Sequence, residues 1–252
     1  MTEAKRISAA VLIIGNEILS GRTQDTNLNH LALTLNGYGI QVREARVVPD
    51  VEAEIVAAIN ALRVRYDYLF TTGGIGPTHD DITADCVAKA FGVELEIHPQ
   101  IAELIQRRES PPEVTASRMR MARVPRGGGL IDNPLGPPGF HIGNVYVMAG
   151  IPRIMQQMVA SLQGKLKRGV VVQSRSVTAF VAESQIARGL GAAQDRYPQV
   201  DIGSYPFQRQ ERYGTTLVMR GGDAAELDAA LAEVVALIRS LGAEPEDIQQ
   251  SG

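Results

Sequence analysis

Residues 7–14, Ile7-Ser8-Ala9-Ala10-Val11-Leu12-Ile13-Ile14, form a nearly continuous apolar run that stops at Gly15. A strand with one wet face would alternate. This run reads instead as a strand buried on both faces, as in a parallel sheet covered by helices on each side. The segments that follow keep to that plan. Leu28, Leu31 and Leu35 share one face of a helix that ends at Gly37, and 40–48 reads as a strand. Asp50 is placed to cap a helix over 51–64, and 66–71 is a third strand. A glycine-rich loop and a helix over 83–91 complete the series. Strand and helix in this alternation predict an open α/β sheet with crossover connections. Residues 100–124 read as helix broken at Pro111-Pro112, with further strands at 129–132 and 144–148 and a helix over 151–162. The segment 133–140 reads as a rigid loop, rich in Pro and Gly, that walls a pocket.

A polar, glycine-flanked link at 163–169 separates this first domain, residues 1–165, from a second over 169–245. There the order is β-α-β-β-α: strands at 170–182, 201–206 and 213–220, helices at 183–193 and 223–241. This describes a small α+β domain, and the last ten residues are expected to fray.

The loop Thr72-Gly73-Gly74-Ile75-Gly76-Pro77-Thr78-His79-Asp80-Asp81-Ile82-Thr83 is the richest in chemistry. It leaves a buried strand and enters a helix, the place where open α/β sheets bind ligands. Its three glycines let main-chain N–H groups approach an anion, and the helix start adds a favourable dipole. The spacing matches neither a Walker A loop nor a dinucleotide fingerprint. One reading is a tight turn with Asp80 or Asp81 as a helix cap. The other is metal-assisted chemistry on a phosphorylated ligand, since adjacent carboxylates would repel phosphate without a divalent cation between them. Asp50, Glu17 and Asp25 follow the first two strands and lie at the same sheet edge. His79 is a further candidate ligand for metal or phosphate. Arg107, Arg108, Arg118, Arg120, Arg123 and Arg126 form either a solvated surface or a phosphate clamp.

Composition narrows the function classes. One cysteine among 252 residues excludes a disulfide framework and a multi-cysteine zinc site. Cys86 falls on the core side of its helix and is expected to be an inert thiol. No apolar run approaches the ~20 residues that span a bilayer, and the N-terminus does not resemble a signal peptide. A net charge of −3, with ten Lys/Arg against eleven Asp/Glu from Lys165 onward, is not a nucleic-acid or membrane footprint. A cytoplasmic protein acting on a small phosphorylated molecule is expected.

These residues also carry a family resemblance. Gly15-Asn16-Glu17-Ile18-Leu19, Asp25-Thr26-Asn27, Val48-Pro49-Asp50 and the 72–83 loop resemble the three-layer molybdopterin-binding fold of the MoaB/Mog proteins of molybdenum-cofactor biosynthesis. The His79-Asp80-Asp81-Ile82-Thr83 form, Asn133-Pro134-Leu135-Gly136-Pro137-Pro138-Gly139 and Gly150-Ile151-Pro152 resemble the CinA (competence/damage-inducible) branch. Residues 183–190 and 198–206 are similar to its small KH-type domain. Where relatives carry Pro-Gly-Val-Pro-x-Glu, this chain has Ala149-Gly150-Ile151-Pro152-Arg153-Ile154.

The resemblance implies catalytic roles for Asp50 and Asp81. It implies ligand or phosphate contacts at Thr72, Gly73, Gly74, Ile75, Gly76, Pro77, Thr83, Asn16, Asn27, Gly136 and Gly139. A divalent metal, Mg with Mn or Co as alternatives, is expected on Asp81, Asp80, Asp50, Glu17 and Asp25. The activity implied is metal-dependent hydrolysis of nucleotide pyrophosphates such as ADP-ribose. The alternatives are molybdopterin binding or adenylylation, or non-catalytic nucleotide or pterin binding. A homo-oligomer, dimer or trimer, is expected by analogy. The C-terminal amidase domain of full-length CinA proteins is not expected in this chain.

Overall fold

The computed structural model describes residues 7–209 and 211–251. The chain divides after Gly169 into two compact units. The first contains β1 (Ile7–Ile14), α1 (Asn16–Leu19), α2 (Asn27–Gly37), β2 (Ile40–Val48), α3 (Glu52–Arg65), β3 (Tyr68–Thr72) and α4 (Thr83–Phe91). It continues with β4 (Leu95–Ile97), α5 (Pro99–Gln106), α6 (Pro112–Arg118) and a 3-10 turn at Met119–Ala122. It ends with β5 (Arg123–Pro125), β6 (Gly129–Ile131), β7 (Gly139–Ile142), β8 (Val145–Met148) and α7 (Pro152–Ser161).

Six of these strands form one sheet in the order β2-β1-β3-β8-β7-β6. The first four run parallel, and β7 and β6 continue antiparallel. β1 is central and buried almost throughout. Ala10, Leu12 and Ile14 face Ile55, Ile59 and Leu62 of α3 and Val87 of α4. Ala9, Val11 and Ile13 face Leu31 and Leu35 of α2 and Met155 and Val159 of α7. Two apolar faces on one strand explain its unbroken apolar run, and the result is the expected three-layer α/β domain. Ser8, the single polar side chain of the run, is met by Asp67, whose carboxylate accepts from both its N–H and its hydroxyl.

Several elements depart from the sequence reading. Gly139 and Phe140, expected to end a rigid loop, instead begin β7. Gly139 pairs with Ile131, and a Cβ there would lie 2.4 Å from the Val147 carbonyl oxygen, so the glycine serves close strand approach. β4 and β5, short and pairing only with each other, have too few residues to show a period. Asp50 does not cap α3, which starts at Glu52 with Val51 before it.

The second unit contains β9 (Gln173–Ala179), α8 (Glu183–Arg196), β10 (Asp201–Arg209), β11 (Arg212–Gly221), α9 (Ala224–Ser240) and β12 (Glu246–Ser251). Its antiparallel sheet has the order β10-β11-β9-β12. Val177, Leu217 and Met219 pack on Ile186 of α8 and on Leu227, Val234 and Ile238 of α9. Asp223 caps α9 by accepting from the N–H groups of Ala225 and Glu226. The segment expected to fray is instead the edge strand β12. Main-chain pairing to β9 holds it, and that leaves no hydrophobic signature in its polar sequence.

Leu12 is fully buried and Val64 is mostly exposed. Leu12→Ala is expected to cost ~2–5 kcal/mol in urea unfolding, against within ~0.5 kcal/mol for Val64→Ala.

Candidate functional site

Strand order reverses at β1, with β2 on one side and β3 on the other, so the connections after β1 and β3 diverge and leave a crevice at the carboxyl edge. The backbone there is unusually close. Gly73 has φ +103, donates its N–H to the Met148 carbonyl, and would place a Cβ 2.1 Å from the Ile14 carbonyl oxygen. Gly74 has φ +66, and a Cβ on it would strike the Thr83 hydroxyl. Thr83 ties the loop down: its hydroxyl donates to the Gly73 carbonyl at 3.0 Å and its N–H to the Gly74 carbonyl at 3.0 Å. Only glycine fits this path.

Asp81 closes the loop from the other end. One carboxylate oxygen accepts from the Gly76 N–H at 2.7 Å, and the other from the Thr78 N–H at 2.8 Å and the Thr78 hydroxyl. The carboxylate thus occupies a nest of donors inside the loop. The N–H groups of Gly74 and Ile75 meet no acceptor among the described residues.

A cavity of about 350 Å³ opens against this loop. Its polar rim holds Gly74, Gly76, Asp81, Glu17, Arg120 and Arg123, and its wall holds Met121, Phe140, Ile154 and Met158 with Pro137 and Pro138. Glu17 is exposed; its main-chain carbonyl accepts from the Thr23 N–H and the Ser20 hydroxyl, while its carboxylate carries no hydrogen bond among the described residues and lies over Gly15. Arg123 pairs with Asp85 at 2.9 Å. Arg120 donates from Nη2 to the Asp81 carbonyl at 3.3 Å, while its Nε is buried without a partner.

Ile75 and Pro77 line this cavity with Gly74 and Gly76; Thr72 is buried behind it at the end of β3. Among the acids, the structure brings Glu17 and Asp81 together there and places the others outside its lining. Asp50 accepts from the Asn16 N–H at 2.8 Å and so caps α1 rather than α3. Asp25 accepts from the Leu28 N–H at the first turn of α2. Asp80 is exposed beside His79, which is almost fully exposed. Asn27 is buried and donates to the Gly150 carbonyl, with its Oδ1 unpartnered. Gly136 and Gly139 stand outside the lining, though Asn133 holds their loop by donating to Pro137 and accepting from Leu135. The arginines separate too: Arg107 pairs with Glu103 and Arg126 with Glu94 and Glu96 on the surface.

Among the described residues no group of three or more Asp, Glu, His or Cys side chains is placed to hold a metal ion. A resident metal cage therefore does not fit. With only Glu17 and Asp81 at the cavity, a Mg²⁺-type ion there would have to take most of its ligands from phosphate oxygens and water. The apolar wall carried no motif in the sequence: Met121 of the 3-10 turn, Phe140 of β7 and Ile154 and Met158 of α7 come from three separate elements and meet only in the fold.

Residues 10–168 match the family model described as probable molybdopterin binding domain, and 171–246 match FAD synthase, middle domain. A CinA-like protein of Citrifermentans bemidjiense is 36% identical over 197 residues, covering 73% of this chain and 47% of the relative. The chain thus spans about half the length of that protein. A protein of Pyrobaculum calidifontis is 31% identical over 253 residues, covering 92% of this chain and 96% of the relative. The crystal structure of the protein CinA with unknown function from Thermoplasma acidophilum superposes with TM-score 0.58 at 32% identity, over 64% of this chain and 99% of that one. No helix among the described residues is long and apolar enough to cross a membrane.

Two outcomes follow from the packing. Gly73→Ala is expected to cost several kcal/mol or to prevent folding, whereas Gly21→Ala, at φ +73 with nothing within 4 Å, is expected to cost ~1 kcal/mol; thermal melts compare them. Burial pushes the Cys86 thiol up to about 12, with Glu52 and Asp85 adding to the effect. A thiol-specific disulfide reagent at pH 8 is expected to react with it only after denaturant is added.

Proposed function

The chain belongs to the CinA-like proteins that carry a probable molybdopterin binding domain, and from that premise we propose that its first unit binds a phosphorylated nucleotide or pterin and hydrolyses a nucleotide pyrophosphate such as ADP-ribose. One observation carries this reading: a single cavity joins a glycine loop with free N–H groups, the unpartnered carboxylate of Glu17, two arginines and an apolar wall. The wall suits a flat heteroaromatic ring and the rim suits phosphate.

Hydrolysis adds water across the P–O–P bridge and releases AMP and ribose 5-phosphate. In this reading Asp81 holds the loop in its anion-binding shape and Glu17 orients the water. A divalent ion held by Glu17 and Asp81 with the phosphates would offset charge on the phosphoryl oxygens. Asp50 acts at one remove, by fixing the turn that carries Glu17. Molybdopterin binding or adenylylation is the second reading, favoured by the family match over 10–168. The second unit, read here as a KH-type module, serves packing or self-association.

The test is release of AMP from ADP-ribose with Mg²⁺, Mn²⁺ or Co²⁺ by the wild type and by Glu17→Gln and Asp81→Asn. Both variants are expected to lose at least ~10-fold in rate. Absence of cleavage of any dinucleotide by the wild type overturns the hydrolase reading. Binding of pterin or nucleotide without product would then leave the second one.

A further inference from the structure

The cavity contains one cationic side chain that no carboxylate among the described residues neutralises. Arg123 is neutralised by Asp85. Arg120 is half-buried, lines the same cavity, and touches a main-chain carbonyl rather than a carboxylate. Its Nε–H is buried and unpartnered. The Nε itself is closed off from the cavity, but a partly desolvated guanidinium that lines a cavity and meets no carboxylate is unfavourable unless an anion in that cavity balances its charge. The contact it does make fixes its direction, because Nη2 is held by the carbonyl of Asp81, the residue that closes the glycine loop.

We propose that Arg120 is a phosphate-binding residue of this cavity, acting with the free N–H groups of Gly74 and Ile75, so that the 3-10 turn at 119–122 supplies the side of the anion site opposite the loop. The inference rests on the reading of the cavity as a site for phosphorylated ligands. It adds a residue outside the acidic and glycine positions and says which chemistry that residue reads. The Gly76 and Thr78 N–H groups are already occupied by Asp81, so the anion is assigned to the stretch of loop before them. Lysine is a poor substitute here, since one ammonium cannot hold the Asp81 carbonyl and the phosphate in the fixed fork a guanidinium offers.

The test is calorimetric titration of the full chain with ADP, inorganic pyrophosphate and adenosine. Arg120→Gln is expected to weaken ADP and pyrophosphate about 10- to 100-fold, the range for a charged hydrogen bond, and to leave adenosine unchanged. Arg120→Lys is expected to show a smaller loss of the same kind, and it decides the matter if Arg120→Gln does not fold. ADP affinity unchanged in the folded variants overturns the proposal. So does an equal loss for ADP and adenosine, which would mark a structural role. If the wild type binds neither ADP nor pyrophosphate, the reading of the cavity itself falls, a result distinct from a failure at Arg120.

Discussion

The approach of Gly73 to the Ile14 carbonyl sets the geometry on which the rest of the first unit depends. β1 and β3 are parallel neighbours, and their ends must part before either connection can turn away from the sheet. With a side chain at Gly73 they would be forced apart at that point. Without one, the loop after β3 folds directly over the end of β1, and Gly150, after β8, packs against Gly73 in turn. Three strand ends thus meet within a few ångströms. The cavity is the space left above them, and the residues of its rim come from the segments that leave those ends.

That geometry governs the acidic residues as much as the glycines. A chain with net charge −3 has no general field to attract phosphate. Carboxylates at the sheet edge would repel it further if they pointed freely into the crevice. Three of them do not. Asp81 is enclosed by loop donors, Asp50 by the start of α1 and Asp25 by the start of α2. Each spends its charge on main-chain N–H groups that would otherwise lack partners. Glu17 is left as the carboxylate free to act in the cavity, and Arg120 as the cation with a hydrogen-bond position to spare.

How much of this could be read from the sequence depends on what each feature consists of. β1, α2, α3 and α4 were legible because burial imposes a period or an unbroken apolar run, and Ile14-Gly15 and Phe91-Gly92 mark their ends. The glycine loop was legible because its backbone path admits no other residue. β12 and β7 were not: one is polar and held by main-chain pairing, the other follows two prolines and begins with a glycine whose function is strand contact. The roles of the acids were hidden for a different reason. Asp50, Asp25 and Asp81 look alike in sequence, and a cap differs from a metal ligand only in where the nearest N–H groups lie. The apolar wall was hidden because Phe140 and Met121 belong to the core on one face of the sheet and Met158 to the core on the other, and they are far apart in the chain.

The two ends of the cavity consequently differ in how firmly they are built. The loop side is fixed by steric exclusion at Gly73 and Gly74 and by the buried hydroxyl of Thr83, none of which can move without unfolding the edge of the sheet. On the arginine side, Arg120 stands on a short 3-10 turn and is hydrogen-bonded to the Asp81 carbonyl, and Arg123 just after the turn pairs with Asp85 of α4. Ala122 alone in that turn is fully buried; α6 before it buries no residue at all. Under the proposed reading, the loop side would be the preformed part of the site and the arginine side the part that adapts to a ligand. Small adjustments at Arg120 cost little in packing, whereas the same adjustment at Gly73 would be opposed by the whole parallel core.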